Sequence, residues 1–227
     1  MPGDTGADRT LGKTKAEPTT SRPVVYLVDD EPQLRSYLAR LLRSEGFLVA
    51  PFATADELLE KTPLEGPGCL ILDVCLPGLS GLDLQRILME RASRLPIIFI
   101  SGQGTVPMSV QAMKDGALDF LVKPLDKDDL VADVGWALDL SARTCAEHAE
   151  DRALQARFQT LSPRQVQVIR LVAAGKLNKQ IAADLHIVEK TVKVHRSRAM
   201  QKLGARSVAE LVRLADKLGP FPPQTSA

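Results

Sequence analysis

Short apolar runs alternate with amphipathic stretches from Pro23 onward through the first two thirds of the chain. The runs are continuously apolar or nearly so, a pattern typical of strands that are buried on both faces, as in a parallel sheet. Strand and helix alternate five times, which predicts an open α/β sheet with right-handed crossovers. The five predicted strands are VVYLV (24–28), FLVA (47–50), CLIL (69–72), IIFI (97–100) and LDFLV (118–122).

The stretches between these runs carry the marks of helices. Apolar residues recur at helical spacing in two of them, and Thr54-Ala-Asp-Glu57 has the form of a capping box at the start of another. The two apolar stripes consist of Leu34, Leu38, Leu41 and Leu42, and of Leu82, Ile87 and Leu88.

Ionisable or hydroxyl side chains stand at the ends of four predicted strands. Asp29 and Asp30 follow the first run and Asp73 the third, whereas Ser101 follows the fourth and Lys123 the fifth. The ligand crevice of an open α/β sheet lies beyond the carboxyl ends of its strands, so these side chains are expected to meet there. The carboxylates suit Mg²⁺, which binds one or two carboxylates together with waters and phosphate oxygens. Asp73 can also act as a nucleophile toward a phosphoryl group, while Ser101 and Lys123 can contact its oxygens.

Downstream of the predicted sheet the pattern indicates helices only. Residues 139–158 are polar, rich in Ala and free of Pro and Gly, which is typical of a helical linker. Ser162-Pro163-Arg164-Gln165 is a capping box with Pro at the first helical position, so a helix is expected to begin there and to end at Gly175. Asn178 is expected to cap the next helix, and Ser207-Val-Ala-Glu210 is a further capping box.

Residues 188–203 predict a helix with one buried and one basic face. On a helical wheel the buried face consists of Val192, Ala199 and Leu203, flanked by Met200. The opposite face is basic or small and polar, and it consists of Lys190, Val194, Ser197 and Gln201, with Lys193 and Arg198 at its edges. Behind the short helix and turn at 178–186, such a helix suits insertion into a DNA major groove.

The net charge of +1 conceals two halves of opposite sign. Residues 157–219 contain 13 basic and 4 acidic residues, a net charge of +9, and the rest of the chain carries −8. A small basic domain beside an acidic one indicates a polyanion that is bound by one half only.

Cysteine usage and hydropathy indicate a protein of the reducing cytoplasm. Cys69, Cys75 and Cys145 form neither a CxxC pair nor an even disulfide framework. The N-terminal residues lack the apolar segment of a signal peptide, and no stretch approaches the ~18 consecutive apolar residues of a membrane span.

The segments VVYLVDDE, LILDVCLPGLSGLDL and IIFISGQGTVPMSVQAMKDGALDFLVKPL resemble the receiver domain of two-component response regulators. The resemblance implies a flavodoxin-like (βα)5 domain in which Asp73 is phosphorylated by a sensor histidine kinase. The Mg²⁺ ligands that it implies are Asp29, Asp30, Asp73 and the backbone carbonyl of Cys75.

The same resemblance assigns roles to the ends of the last two strands. Ser101 and Lys123 would contact the phosphate, Ser101 and Phe120 would form a switch pair, and Lys123-Pro124 would carry a cis peptide bond. Cys75 stands where related receivers often carry Arg, Asn or Lys. A redox-sensing thiol and a small apolar filler are both hypotheses for it.

The basic domain resembles the LuxR-type helix-turn-helix of the FixJ/NarL class of response regulators. The motifs L-S-P-R, A-A-G, N-K-Q-I-A and T-V-K-V-H-R carry this resemblance, which implies a small four-helix domain. By this resemblance Lys193, Val194 and Ser197 would touch base edges. The expected phosphate contacts are Asn178, Lys179, Lys190, Thr191 and Arg198. Val188 stands where Ser or Thr often caps the recognition helix, and losing such a cap costs about 1 kcal/mol.

Together these features predict a cytoplasmic transcription regulator rather than an enzyme. Its expected partners are a sensor histidine kinase, double-stranded promoter DNA and a second copy when phosphorylated, with RNA polymerase as a further candidate and no membrane. The predicted segments are a disordered tail (1–22), a receiver domain (23–138), a helical linker (139–156), a DNA-binding domain (157–219) and a frayed tail (220–227).

Two alternatives stay open. A Mg²⁺-dependent phosphatase or phosphotransferase would also use an aspartyl phosphate, although Cys75 stands where its second acid/base Asp would lie. A regulator with a vestigial receiver would bind DNA without phosphorylation.

Overall fold

The computed structural model describes residues 22–61, 64, 66–102 and 106–218. The chain divides into two compact units, residues 1–142 and 143–227. The predicted tails therefore lie outside the described residues, apart from Arg22. Within the described ranges, no helix is both long and apolar enough to cross a membrane.

The first unit contains the predicted parallel sheet. Five parallel strands lie in the order β2-β1-β3-β4-β5. They are β1 (Val24–Val28), β2 (Leu48–Phe52), β3 (Gly68–Asp73), β4 (Ile97–Ser101) and β5 (Asp119–Val122). The fully buried side chains of β1, β3 and β4 form one apolar cluster on each face of the sheet, which explains why their sequences are continuously apolar.

Helices follow the strands and cover both faces of the sheet. The helices of this unit are α1 (Pro32–Ser44), α2 (Ala55–Glu60), α3 (Gly81–Glu90), α4 (Val106–Lys114) and the first part of α5 (Lys127–Gln159). The predicted stripe on α1 packs as expected, since Leu38 and Leu42 are buried. Thr54 accepts a hydrogen bond from the amide of Glu57, as the capping box predicted.

The second strand differs from its prediction. It begins at Leu48 and extends to Phe52, and both Leu48 and Pro51 are exposed. The physical reason is that β2 lies at the edge of the sheet and pairs with β1 alone. An edge strand can also carry Pro51, which has no N–H to donate.

The predicted helical linker is part of a longer helix. α5 runs for 33 residues without a break from Lys127 to Gln159. Ser141, inside the predicted linker, is buried, and its Oγ accepts a hydrogen bond from the amide of Gly68 at 3.0 Å.

The second unit packs four further helices around its own apolar cluster. These are α6 (Pro163–Ala173), α7 (Asn178–Asp184), α8 (Glu189–Leu203) and α9 (Val208–Lys217). The capping box at Ser162 is present with both of its hydrogen bonds, and Gly175 follows α6 with a positive φ of 76°. Ser207 caps α9 by accepting from the amide of Glu210.

The predicted cap of α7 is wrong by one residue. Leu177 occupies the N-cap position, and Asn178 is the first helical residue. The amide of Leu177 donates to the side chain of Gln180 instead, and the Asn178 side chain bonds to another helix. The missing cap of α8 is confirmed, since Val188 occupies its N-cap position without a side-chain hydrogen bond.

Candidate functional site

The fold brings the predicted acidic residues to one edge of the sheet. Asp29 follows β1, and Asp73 is the last residue of β3, the strand next to β1. Helices leave this edge in both directions along the sheet, so the chain reverses its strand order between β1 and β3. Asp29 and Asp73 are both buried, whereas Asp30 is exposed.

Lys123 joins the two buried carboxylates. Its Nζ lies 2.9 Å from Oδ2 of Asp29 and 2.5 Å from Oδ2 of Asp73. Burial alone would lower the pKa of Lys123. Hydrogen bonds and charge attraction from Asp73 and Asp29 outweigh that effect and raise the pKa above its ordinary value. The ammonium group is therefore a permanent positive charge between two carboxylates.

Burial dominates the electrostatics of Asp29. It raises the pKa of this carboxyl, and the hydrogen bond and positive charge of Lys123 offset only part of the rise. The amide of Glu31 also donates to Oδ1 of Asp29 at 2.9 Å. An anion buried in this way is stabilised by further positive charge.

Three carboxylates are close enough to share a cation. One oxygen from each of Asp29, Asp30 and Asp73 lies within 4.8 Å of the others. An all-oxygen donor set that is partly open to solvent fits Mg²⁺, which retains several waters when protein carboxylates bind it. The predicted metal ligands are thus brought together by the fold.

The main chain of Cys75 borders the same site. Its amide donates to Oδ1 of Asp73 at 2.8 Å, and its side chain is exposed. Cys69, by contrast, is buried within β3, and burial raises the pKa of its thiol to about 12. Only the first of these two thiols faces solvent beside the carboxylates.

The predicted switch residues lie at the ends of β4 and β5. Ser101 is buried, and its carbonyl accepts from the amide of Lys123 at 2.8 Å. Phe120 is partly buried, with its ring centre 6.2 Å from that of Phe99. The Lys123-Pro124 bond is cis, as the resemblance implied.

Sequence reasoning missed two residues that shape this site. Arg35 on α1 donates through Nη1 to the backbone carbonyl of Asp29 at 2.6 Å. Gly81 begins α3 so close to β3 that a Cβ there would collide with the carbonyl oxygen of Asp73. A glycine at a helix start is the signal that could have indicated this close approach.

The predicted DNA contacts lie mainly on exposed parts of α7 and α8. Exposed side chains among them are Lys179, Lys190, Lys193, Val194, Ser197 and Arg198. Asn178 and Thr191 are partly buried. The predicted core face of α8 is confirmed, because Val192, Ala199 and Leu203 are buried.

Two of these residues have partners that the sequence did not reveal. Lys193 forms an ion pair with Glu189, one turn earlier on α8, at 3.3 Å. Oδ1 of Asn178 accepts from Nη1 of Arg196 at 3.0 Å, which joins α7 to α8.

An acidic crevice at a doubly wound sheet, joined to a basic helix-turn-helix, defines a phosphoacceptor domain with a DNA-binding output. Comparison with protein families supports this class. Residues 25–135 match the response regulator receiver domain, and residues 159–215 match the bacterial regulatory proteins of the luxR family.

Relatives of known type match nearly the whole chain. Nodulation protein W of Bradyrhizobium diazoefficiens is 43% identical over 92% of this chain and 90% of its own. Response regulator protein TmoT of Ectopseudomonas mendocina is 44% identical over 86% of this chain and 89% of its own. Transcriptional regulatory protein FixJ of B. diazoefficiens is 38% identical over 88% and 98% of the two chains.

Among solved structures, response regulator StyR has a TM-score of 0.80 and 44% identity, covering 87% of this chain and all of its own. Full-length FixJ from B. japonicum has a TM-score of 0.53 and 38% identity, covering 88% of this chain and 98% of its own. The chain therefore belongs to the response regulators with a receiver domain and a LuxR-type DNA-binding domain. Phosphorylation-dependent control of transcription is the typical function of this family, and both component domains are regulatory rather than catalytic.

Proposed function

We propose that Asp73 is the phosphoacceptor and that its phosphorylation controls DNA binding by the second unit. The observation that carries this proposal is the contact of Lys123 with both Asp29 and Asp73 at the carboxyl edge of the sheet. This arrangement gathers a nucleophile, a cation and a buried acidic neighbour around one point. The donor is a phosphohistidine of a sensor kinase.

In the transfer step a carboxylate oxygen of Asp73 attacks phosphorus and forms a P–O bond. The P–N bond of the phosphohistidine breaks, and its electron pair returns to the imidazole nitrogen. The product is an acyl phosphate on Asp73, and no enzymatic turnover of a free substrate is involved. Lys123 neutralises one phosphoryl oxygen, and the Ser101 hydroxyl donates to another.

Asp29, Asp30, Asp73 and the carbonyl of Cys75 would hold Mg²⁺. When bound, this ion supplies positive charge that offsets repulsion between the carboxylates and the phosphoryl oxygens. The amide of Cys75 keeps Oδ1 of Asp73 oriented through its 2.8 Å hydrogen bond.

The signal leaves the site through Ser101 and Phe120. Movement of the Ser101 hydroxyl toward the phosphate opens space into which the Phe120 ring turns, and the surface of α4, β5 and α5 is remodelled. That surface carries exposed apolar side chains on α4 and β5, namely Val106, Val110, Met113 and Val122. Such a patch favours the association of two phosphorylated copies.

Dimerisation is functionally useful because a single recognition helix reads few base pairs, and two half-sites multiply discrimination. On this proposal Lys193, Val194 and Ser197 read base edges. The phosphate contacts are Asn178, Lys179, Lys190, Thr191 and Arg198. The promoter DNA and RNA polymerase that such a regulator meets are cytoplasmic, and so is the protein.

The proposal is tested by incubating the full chain with Mg²⁺ and a small phosphodonor, followed by intact mass and solution size. One added phosphoryl group is expected, together with a larger species. Asp73→Asn should abolish both, whereas Asp83→Asn, an exposed carboxylate on α3, should leave both unchanged. A folded wild-type chain that gains no phosphoryl group while a control receiver does would contradict the proposal.

A further inference from the structure

Arg196 lies on the side of α8 that faces the core of its unit. It comes one turn after Val192 and three residues before Ala199, and both of these are fully buried. Its own side chain is partly buried. At about 100° per residue, Arg196 is turned about 160° around the helix from the exposed Val194. Its guanidinium therefore points away from the face of α8 that would enter a groove.

The guanidinium reaches the neighbouring helix instead. Nη1 of Arg196 donates to Oδ1 of Asn178, the first residue of α7, at 3.0 Å. Because a guanidinium can only donate, the amide atom that faces it must be the oxygen. The Nδ2 group of the planar amide then points away from Arg196. Among the described residues no acceptor contacts Nδ2.

A partly exposed amide with two unused donors needs an acceptor outside this part of the chain. The neighbouring residue Lys179 is exposed and basic, so a phosphate oxygen is the acceptor that suits both side chains. We propose that Arg196 is a positioning residue, which orients Asn178 so that its amide donates to a DNA phosphate, and that Arg196 itself contacts no DNA. This inference rests on the proposed DNA-binding role of α7 and α8.

Direct and indirect roles of Arg196 predict different salt dependence. A cation that contacts a phosphate releases counterions, so its removal flattens the plot of log K against log salt by about 0.9. Asn178 is neutral, and loss of its donors weakens binding without changing that slope. The salt slope therefore reports whether Arg196 acts itself or through Asn178.

The test measures the affinity of the full phosphorylated chain for a fluorescent duplex of about 30 base pairs with arbitrary sequence, which contains phosphates enough for a dimer. Salt is varied from about 50 to 200 mM. The variants are Arg196→Met, Arg196→Lys, Asn178→Ala and the double variant Arg196→Met/Asn178→Ala. Arg213→Met, on the exposed side of α9, removes the same charge elsewhere, and Lys179→Ala serves as the variant expected to flatten the slope.

Arg196→Met and Asn178→Ala should each weaken binding about tenfold, the loss of a hydrogen bond to a charged group, with the wild-type slope retained. The double variant should bind no more weakly than either single variant, and Arg196→Lys, which keeps a donor for Asn178, should recover most of the affinity. An Arg196→Met slope flattened like that of Lys179→Ala, or additive losses in the double variant, would overturn the inference. So would wild-type affinity in Arg196→Met.

Folding is checked by far-ultraviolet circular dichroism. If Arg196→Met does not fold, Asn178→Asp decides the question, because it keeps an acceptor for Arg196 and removes both donors. Wild-type affinity in Asn178→Asp would then overturn the inference, and weakened binding at unchanged thermal stability would support it. A wild-type chain that binds no duplex at all would instead contradict the proposed function.

Discussion

Lys123 has a structural task as well as a proposed contact with phosphate. Asp29 and Asp73 are both buried, and two buried anions without a partner would cost several kcal/mol. The ammonium group donates to both carboxylates and keeps the edge of the sheet compact in the unphosphorylated state. A phosphoryl group on Asp73 would compete for this same cation, which links phosphorylation to the local structure.

At the same scale, Asp133 on α5 provides a pH-dependent prediction. Burial raises the pKa of Asp133 above 3.8, and the negative charges of Asp119 and Asp129 raise it further. A raised folded-state pKa means that protonation favours folding: this stabilisation is fully present below 3.8 and is lost as the pH rises through the folded-state value. Asp133→Asn should therefore stabilise the protein near neutral pH.

The expected gain is below about 1 kcal/mol, because the side chain is largely solvated. Urea unfolding of the full chain at about pH 7 and about pH 4 measures the effect, which should shrink at the lower pH. Asp139→Asn, on an exposed part of the same helix, is the matched control. A destabilised Asp133→Asn, or an equal gain in the control, would count against this account.

Residue types at strand ends were predictable, but their partners were not. The order of Asp29, Asp73, Ser101 and Lys123 along the chain placed all four at one edge, because parallel strands share that edge. The bond between Asn178 and Arg196 depends on how two helices pack, and an 18-residue separation carries no local pattern for it. Asn178 looked like a cap for the same reason.

At the scale of elements, burial on both faces identified the central strands and failed for the edge. The runs at β1, β3 and β4 match observed strands to within one residue at each end. β2 pairs on one side only, so its exposed Leu48 and Pro51 break the expected pattern. The linker was correctly predicted to be helical, but the sequence between 127 and 159 contains no signal that would end α5 before it.

The recognition helix α8 begins without a side-chain cap, and this defect is testable. Val188 has extended backbone angles that Ser also adopts, and its side chain is exposed. Val188→Ser should stabilise the first turn by about 1 kcal/mol, because a hydroxyl can accept from the unsatisfied amides there. Hydrogen exchange of the amides of Lys190 and Thr191 should slow about fivefold.

Val208→Ser provides the matched control, since Val208 is also exposed and begins α9, whose cap is already supplied by Ser207. Its first turn should exchange at the wild-type rate. Unchanged exchange at the start of α8 in Val188→Ser would show that the missing hydroxyl does not limit this turn.

At the scale of the whole molecule, charge separates the two functions. The basic residues concentrate in 157–219, whereas the remainder of the chain is acidic. The chain is a response regulator in which a receiver domain is joined to a LuxR-type DNA-binding domain. A phosphoryl group at Asp73 can act on DNA binding only by changing association or access, because the chemistry and the DNA contacts lie in separate units.

The most direct test of this coupling is the affinity of the full chain for duplex DNA before and after treatment with Mg²⁺ and a phosphodonor. The wild-type chain should bind more tightly after treatment, in step with the fraction phosphorylated, and Asp73→Asn should keep its lower affinity throughout. Equal affinity for phosphorylated and unphosphorylated wild-type protein would contradict the account and would leave the DNA-binding domain acting without its receiver.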